Sequence, residues 1–303
     1  MEIDKESNQP QSNNIINYGD LIIVYEGGDS IKHFTLEKGK ILENKYGRFK
    51  HDSICGKVYG SRIYNTKNDR FITILSFVPC IWERCLNKMT QIIFNPDISI
   101  IMTLLNITQS SIIYESGSGS GCLSTNMAGM FSTGHLYTFE FNKERADKLK
   151  DVFKLLKLEK NITVTHRDVL ENGFELKEEE LKCSSHKLCD GIFIDLPSPW
   201  LVVGHAKKVL KKGGHFVTFS PCIEQINETM KAMKENGMID IRMFECIYRT
   251  YSYAKTNKVK IPLFNKKRKC GEEMEFKEEE INVKKNKCDI RGHTGFVMYG
   301  INC

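Results

Sequence analysis

Residues 111–121 read SIIYESGSGSG, an apolar run followed directly by a turn of alternating serine and glycine. Glycine adopts positive φ angles and lets the backbone approach a ligand closely, and a helix that starts after such a turn offers free N–H groups. A strand, a glycine-rich turn and a helix in this order are typical of a nucleotide-like binding site in an α/β domain. A Gly/Ser stretch is also found in ordinary loops, so the turn needs support from other residues.

Strand-like and helical segments alternate after this turn. We predict strands and helices in the following stretches: strands at 111–115, 135–141, 162–168, 191–196 and 215–220, and helices including 143–156 and 225–236. Apolar strands with few charges are expected where a parallel sheet is buried on both faces by helices. The apolar run TGFVMYGI, residues 294–301, is predicted to close the edge of this sheet.

The chain before the glycine turn has a different sequence pattern. A polar arm, residues 1–14, is followed up to residue 78 by short apolar or alternating runs broken by Gly, Asn and Asp. This pattern predicts a small antiparallel β domain at 15–78. The remaining domain, 79–303, begins with a helix-rich link and contains a charged segment at about 255–287, which we expect to be a disordered insertion.

The composition of the 303 residues, 41% hydrophobic and 27% charged, is that of a folded globular protein. No apolar stretch reaches the roughly 20 residues that cross a bilayer, and the polar N-terminus lacks a secretory pattern, so we expect an intracellular protein without a membrane span. Eleven cysteines without a CxxC pair predict reduced thiols and no metal site.

The net charge of +6 is concentrated near the C-terminus. Residues 254–303 contain 12 Lys or Arg and 7 Asp or Glu, so this segment carries +5 of the net charge of +6. Such a distribution is compatible with a polyanionic partner, although charged runs are also common on solvated surfaces.

Three acidic residues follow predicted strands. Glu140 stands 19 residues after Gly121, where a carboxylate accepts hydrogen bonds from both ribose hydroxyls of a bound adenosine. Arg145 on the next helix could orient Glu140, or could simply be solvated. Asp168 could accept from an adenine amino group, or could cap a helix.

Asp195 opens the turn DLPSPW after the strand GIFI, at the edge where open α/β sheets bind ligands. The two prolines stiffen the turn and could hold this carboxylate at a fixed distance from a flat substrate. A proline-rich structural turn is the alternative, but burial of Asp195 would then be costly without a partner. The glycine turn and Glu140 fit both a dinucleotide site and an S-adenosylmethionine site.

Several motifs together resemble the catalytic subunit family of the eukaryotic tRNA adenine-N1 methyltransferase that modifies adenosine 58. In chain order they are ESGSGSG (115–121), Glu140 with Arg145, HRDV (166–169), DLPSPW (195–200), SPCIEQ (220–225) and HTGF (293–296). The resemblance extends from about residue 15 to 300, and DLPSPW and SPCIEQ are specific to this family. The resemblance implies an α/β fold: a Rossmann-like class I methyltransferase domain with a small N-terminal β-barrel domain.

The same resemblance implies S-adenosylmethionine as cofactor and Asp195 as the catalytic residue. The implied cofactor-binding residues are Gln91, Ile92, Glu115, Gly117, Ser118, Gly119, Ser120, Gly121, Glu140, Arg145, Asp168, Val169 and Asp195. Residues 90–94 match the stretch that covers the methionine end of the cofactor. Relatives commonly carry tyrosine at Phe94 and threonine at Ser118, and the change at Phe94 removes any role for a phenol hydroxyl.

The implied partners are tRNA and a related non-catalytic subunit, assembled as a heterotetramer of two copies of each. A homotetramer like that of the prokaryotic relatives is the alternative. Candidate phosphate contacts are Lys207, Lys208, Lys211, Lys212 and the run KKRK at 266–269, all of which could instead be solubilising charges. KKRK equally fits a nuclear localisation signal, and we expect a nuclear protein.

Two other function classes share part of this pattern. A nicotinamide-dependent oxidoreductase would use the glycine turn and Glu140, but DLPSPW offers it no chemistry. A non-catalytic RNA-binding subunit would have no need of an intact glycine turn, Glu140 and Asp195.

Overall fold

The computed structural model describes residues 14–27, 30–182, 188–247, 251–253, 259–262, 276–279, 283–285 and 294–303. By their contacts, the described residues up to Phe244 fall into one unit with Gly295–Cys303, and Glu245–Thr294 form a second unit. Within the described ranges, no helix is long and apolar enough to cross a membrane.

The first unit begins with a small antiparallel β unit, as the sequence predicts. Its strands are β1 (Leu21–Gly27), β2 (Ser30–Thr35), β3 (Ile41–Asn44), β4 (Gly47–Lys50), β5 (Arg62–Tyr64) and β6 (Phe71–Leu75). Four of them form a sheet in the order β2-β1-β6-β5, and β3 and β4 form a separate hairpin. Ile22, Phe49 and Ile72 belong to the buried core that both parts share. Among the described residues, the strands therefore surround one core as an open sheet and a hairpin, not as one closed ring.

The rest of the first unit alternates helices and strands. In chain order the elements are α1 (Pro79–Cys85), α2 (Asn95–Leu104), β7 (Ile112–Ser116), α3 (Cys122–Ala128), β8 (His135–Glu140), α4 (Lys143–Leu155), β9 (Ile162–His166), α5 (Val169–Asn172), β10 (Cys189–Ile194), α6 (Val203–Val209), β11 (Leu210–Ser220), α7 (Ile223–Glu235) and β12 (Ile239–Glu245). Short 3₁₀ turns lie at His51–Ser53, Glu178–Glu180 and Pro199–Val202.

Four short strands are described in the second unit, and the last three lie within the segment 255–287 that the sequence predicts to be a disordered insertion. They are β13 (Tyr251–Tyr253), β14 (Val259–Pro262), β15 (Phe276–Glu279) and β16 (Val283–Lys285). The first pairs with the last and the middle two pair with each other, both antiparallel. The disordered insertion at about 255–287 stays a prediction, because most of its residues lie outside the described ranges. The run KKRK lies outside the described residues.

The last strand, β17 (Phe296–Ile301), completes a seven-stranded sheet in the order β12-β17-β11-β10-β7-β8-β9. The ladders that join β11, β10, β7, β8 and β9 are parallel, and β17 runs antiparallel to β11. This confirms the predicted α/β fold with a mostly parallel sheet.

The prediction that residues 294–301 close the sheet's edge is wrong. β17 lies between β11 and β12, and β12 is the edge strand. Its sequence, IDIRMFE, alternates apolar and charged residues and is mostly exposed, so it lacks the apolar run that marks the inner strands.

Two cores cover the two faces of this sheet. Ile113 and Tyr114 are adjacent in β7 but belong to different cores, because successive side chains of a strand point to opposite faces. Helices α2, α3 and α4 contribute to the first core, and α6 and α7 contribute to the second. Ile23 of β1 also belongs to the first core, so the small β unit packs against the same hydrophobic interior.

We expect Phe153→Ala to lower the free energy of unfolding by about 3–5 kcal/mol, because the fully buried ring leaves a cavity between α4 and the sheet. Leu155→Ala is the matched control on the same helix, since Leu155 is exposed, and it should cost less than about 1 kcal/mol. Urea denaturation followed by circular dichroism measures both. Equal losses would contradict the core assignment.

Candidate active site

The predicted site residues meet at one edge of the sheet. The parallel strands β7, β8, β9 and β10 end at Ser116, Glu140, His166 and Ile194. The carboxyl ends of parallel strands lie side by side, and this edge is where open α/β sheets bind ligands.

The glycine turn crosses directly against the backbone of Asp195. Gly117 has a φ of +89°, and a Cβ atom added to it would lie 2.0 Å from the carbonyl oxygen of Asp195. The N–H of Asp195 donates to the carbonyl of Ser116 at 2.9 Å, and the N–H of Gly117 donates to the carbonyl of Phe139 at 3.2 Å. Only glycine fits this position, so the turn and the Asp195 backbone are fixed relative to each other.

Glu140 is buried, and both of its carboxylate oxygens accept hydrogen bonds from neighbouring groups. One of its oxygens, Oε1, accepts from Arg145 Nη2 at 2.7 Å and from the N–H of Asn142 at 2.9 Å. The other oxygen, Oε2, accepts from the N–H of Gly119 at 3.2 Å. Arg145 therefore orients Glu140, as the sequence suggested, and the carboxylate is tied to the glycine turn.

Glu115 is a second buried acid beside the turn. Its Oε2 accepts from the hydroxyl of Ser124 at 2.5 Å. Burial raises the pKa of Glu115 to about 7, the Ser124 hydrogen bond opposes this shift, and the charges of Asp195 and Glu140 add to it. The charges of the neighbouring acids Asp195 and Glu140 thus contribute to the raised pKa of Glu115.

The segment that precedes α2 packs onto the same turn. The Ser120 hydroxyl accepts from the N–H of Met89 at 2.8 Å and from the N–H of Thr90 at 3.0 Å. Gln91 is exposed and Ile92 is buried in the first core. The resemblance assigned this segment as a cover for the cofactor, and its contact with Ser120 agrees with that position. Ser118 shares a short hydrogen bond with Thr138, 2.5 Å between their hydroxyl oxygens.

Asp168 caps α5, because its Oδ1 accepts from the N–H of Leu170 at 2.9 Å. The helix-cap alternative is thus realised. Asp168 also lines a cleft of about 750 Å³ at the ends of β8 and β9, whose lining residues are Phe141, His166, Arg167, Asp168, Glu171, Asn172, Glu175 and Lys177. The side chain of Val169 is buried in the second core, which leaves its backbone as the group available to a ligand.

Asp195 is partly exposed at the end of β10, and burial raises the pKa of its carboxyl to about 7. The turn after it is held from α7: Gln225 donates through Nε2 to the carbonyl of Pro197 at 2.9 Å, and its Oε1 accepts from the N–H of Cys222 at 3.3 Å. The sequence alone does not predict this role for Gln225. Its place in the family-specific motif SPCIEQ was the available signal.

A family model described as "tRNA methyltransferase complex GCD14 subunit" matches residues 70–300. The chain belongs to this family.

Curated relatives of this GCD14-family chain include the "tRNA (adenine(58)-N(1))-methyltransferase catalytic subunit trmt61a" of Dictyostelium discoideum. It is 37% identical over 240 residues, which are 79% of this chain and 75% of the relative. The catalytic subunit TRM61 of Candida albicans is 35% identical over 248 residues, 81% of this chain and 72% of the relative. The resemblance seen in the sequence motifs is thereby confirmed.

Two solved structures share the fold. A SAM-dependent O-methyltransferase from Thermotoga maritima has a TM-score of 0.74 at 22% identity, covering 97% of this chain and 96% of that one. The tRNA (m1A58) methyltransferase TrmI from Aquifex aeolicus has a TM-score of 0.68 at 18% identity, covering 96% of this chain and 99% of that one. The GCD14-family chain therefore has the fold of these methyltransferases.

The lysines predicted to contact phosphates differ in their surroundings. Lys207 donates to the carbonyl of Asn236 at 2.5 Å, and Lys211 forms an ion pair with Asp190 at 2.5 Å. Lys208 and Lys212 are exposed. Two of the four candidates thus have protein partners.

We expect Gly117→Ala to destabilise the protein by several times the cost of Gly213→Ala. Both glycines have a positive φ, but Gly213 has no atom within 4 Å of an added Cβ, so its alanine variant reports only backbone strain, about 1–2 kcal/mol. Urea denaturation gives both values. Similar losses would show that the turn is not pressed against Asp195.

Proposed function

We propose that this chain is the catalytic subunit of a tRNA methyltransferase, transferring a methyl group from S-adenosylmethionine to N1 of adenosine 58 in the T-loop. The observation that carries the proposal is the position of Asp195, whose backbone is held against the glycine turn at the carboxyl edge of the sheet. The glycine turn, which is typical of cofactor-binding sites, is thereby held at a fixed distance from the backbone of an acidic residue. The family and its catalytic-subunit relatives support the same reaction.

The residues at this edge fit S-adenosylmethionine. Glu140, oriented by Arg145, is a suitable acceptor for ribose hydroxyls, and the cleft beside Asp168 has room for an adenine ring. Gln91, Ile92 and the turn 117–121 surround the place expected for the methionine end. Bound S-adenosylmethionine supplies a methyl group that its sulfonium has already activated.

Asp195 acts on the target adenine through charge and hydrogen bonding. Its carboxylate accepts from the N6 amino group, which orients the ring and increases electron density at N1. The positive charge that develops on N1 methylation is stabilised by the same ionised carboxylate. The protein otherwise aligns the reactants and excludes water, and no covalent enzyme intermediate is required.

The target base must leave its stack before reaction, because N1 lies on the Watson–Crick edge of adenine. The stiff turn 195–200, held by Gln225 and by buried Pro199, offers a fixed wall for a flipped base. A role for Phe94 in stacking on the base or the cofactor belongs to the same proposal.

We expect Asp195→Ala to reduce methyl transfer to total tRNA by at least about a hundredfold while cofactor affinity changes little. Transfer from labelled cofactor, followed by nucleoside analysis for 1-methyladenosine, measures the first effect, and calorimetric titration with the demethylated product measures the second. Near-normal turnover of the variant would remove Asp195 from the reaction. Failure of the wild-type chain to bind cofactor would instead favour a non-catalytic RNA-binding subunit.

The rate should also depend on pH. Because the pKa of Asp195 is raised to about 7 and the ionised form is the active one, kcat/KM should rise about tenfold per pH unit below this value and level off above it. Glu115 has a pKa of about 7 as well, so Glu115→Gln is the control that separates the two acids. The profile should persist in Glu115→Gln; its disappearance there would assign the titration to Glu115.

We further propose that the chain works in the nucleus with a related non-catalytic subunit, as a heterotetramer of two copies of each. The family description as a subunit of a complex supports a partner in general. The isolated chain should bind cofactor but methylate tRNA poorly, and addition of the partner should restore transfer. Robust activity of the purified single chain would contradict the need for a partner.

A further inference from the structure

Two neighbouring hairpins of the small β unit bring cations and aromatic rings together. We call this the hairpin-tip surface and define it by Lys45, Tyr46, Arg48, Arg62, Tyr64, Lys67, Arg70 and Phe71. The first three belong to the β3–β4 hairpin, and the others to the β5–β6 hairpin. None of these residues has a role in the site at the sheet edge.

Two aromatic rings form an exposed platform on this surface. Tyr64 and Phe71 stand opposite each other in the β5–β6 ladder, with ring centroids 5.8 Å apart and side chains 50% and 43% exposed. The Arg62 guanidinium lies 4.7 Å from the centroid of the Phe71 ring. The adjacent Ile63 and Ile72 fill the core, so the two rings are left on the outer face.

The cations of this surface are available to a ligand. Within the described part of the chain, Lys45, Arg62, Lys67 and Arg70 form no ion pair with an acid. The nearby acids are already engaged. Glu43 pairs with Arg48 at 2.6 Å. Asp69 accepts from Asn65 at 2.7 Å. The surface is therefore positively charged as a whole.

Asn65 holds the two hairpins in place. Its side-chain amide donates to the carbonyl of Tyr46 at 2.7 Å, and its side-chain oxygen accepts from the N–H of Asp69 at 3.2 Å. The N–H of Thr66 donates to the carbonyl of Arg48 at 2.9 Å. Asn65 is buried, so the rings and cations are presented by a rigid frame.

We propose that the hairpin-tip surface binds unpaired nucleotides of the RNA substrate, with bases stacking on Tyr64 and Phe71 and phosphates contacting Arg62, Lys67 and Arg70. Exposed aromatic rings beside unpaired cations are the features by which proteins bind single-stranded nucleic acid. The inference rests on the proposed function for the identity of the RNA as tRNA.

Ring-conserving and ring-removing substitutions test the stacking. The Kd of the full-length chain for a tRNA transcript is measured by fluorescence anisotropy for Phe71→Leu and Tyr64→Leu, with Phe71→Tyr and Tyr64→Phe as matched controls. Each leucine variant should weaken binding about tenfold, because it keeps apolar area but loses the π face, and each control should bind like the wild type. Unchanged urea midpoints verify folding. Leucine variants that bind normally overturn the proposal.

The cations are tested through salt dependence. The double variant Arg62→Gln/Arg70→Gln should reduce the slope of log Kd against log salt by about 1.4, since each lost single-strand phosphate contact contributes about 0.7. Lys148→Gln/Lys154→Gln on α4 changes the charge equally at exposed positions and should leave the slope unchanged. An equal change in both variants would indicate a general charge effect and contradict a site.

Four further outcomes distinguish failure of this proposal from failure of the proposed function. If the leucine variants lose binding to the partner subunit and keep their RNA affinity, the surface is a protein interface and the proposal is overturned. Absence of measurable tRNA binding by the wild-type chain would also overturn it. Loss of RNA binding in variants of a chain that forms no 1-methyladenosine would support the surface and sink only the proposed function. Normal 1-methyladenosine formation with normal binding in the leucine variants would sink the surface alone.

Discussion

The structure depends on one close approach, that of the glycine turn to the backbone of Asp195. The Asp195 N–H donates to the carbonyl of Ser116, and no side chain fits at Gly117 between the two strands. Because both contacts are made by backbone atoms, the position of the Asp195 backbone does not depend on side-chain rotamers. A displacement of the glycine turn would therefore move the start of the 195–200 turn with it, through this hydrogen bond and this backbone packing.

Three carboxyl groups share this edge of the sheet but differ in their environment. Glu140 is buried, and Arg145 and two backbone N–H groups donate to its carboxylate oxygens. Glu115 has the hydroxyls of Ser124 and Thr138 as hydrogen-bond partners, and burial raises its pKa to about 7. The pKa of Asp195 is likewise raised by burial. The three carboxyl groups thus differ in their partners, and two of them, Glu115 and Asp195, have pKa values raised by burial to about 7.

The sequence predicted the parts of the molecule in which local pattern and burial agree. Parallel strands such as β7 and β8 are rich in apolar residues and buried along their length, and the turn that follows β7 is rich in glycine, so the sequence predicted both. The sequence did not predict β12, because this exposed edge strand has no apolar run. The roles of Gln225 and Asn65 could not be predicted, since each bridges segments that are distant in sequence, and hydrogen bonds between such segments leave no local pattern.

The insertion of β17 between β11 and β12 has a consequence for how the protein tolerates damage. Phe296–Ile301 is hydrogen-bonded on both sides, so its removal would strip β12 of its neighbour in the sheet and expose the flank of β11 at the same time. A proteolytic cut that removes this strand would therefore act like excision of an interior strand of the sheet.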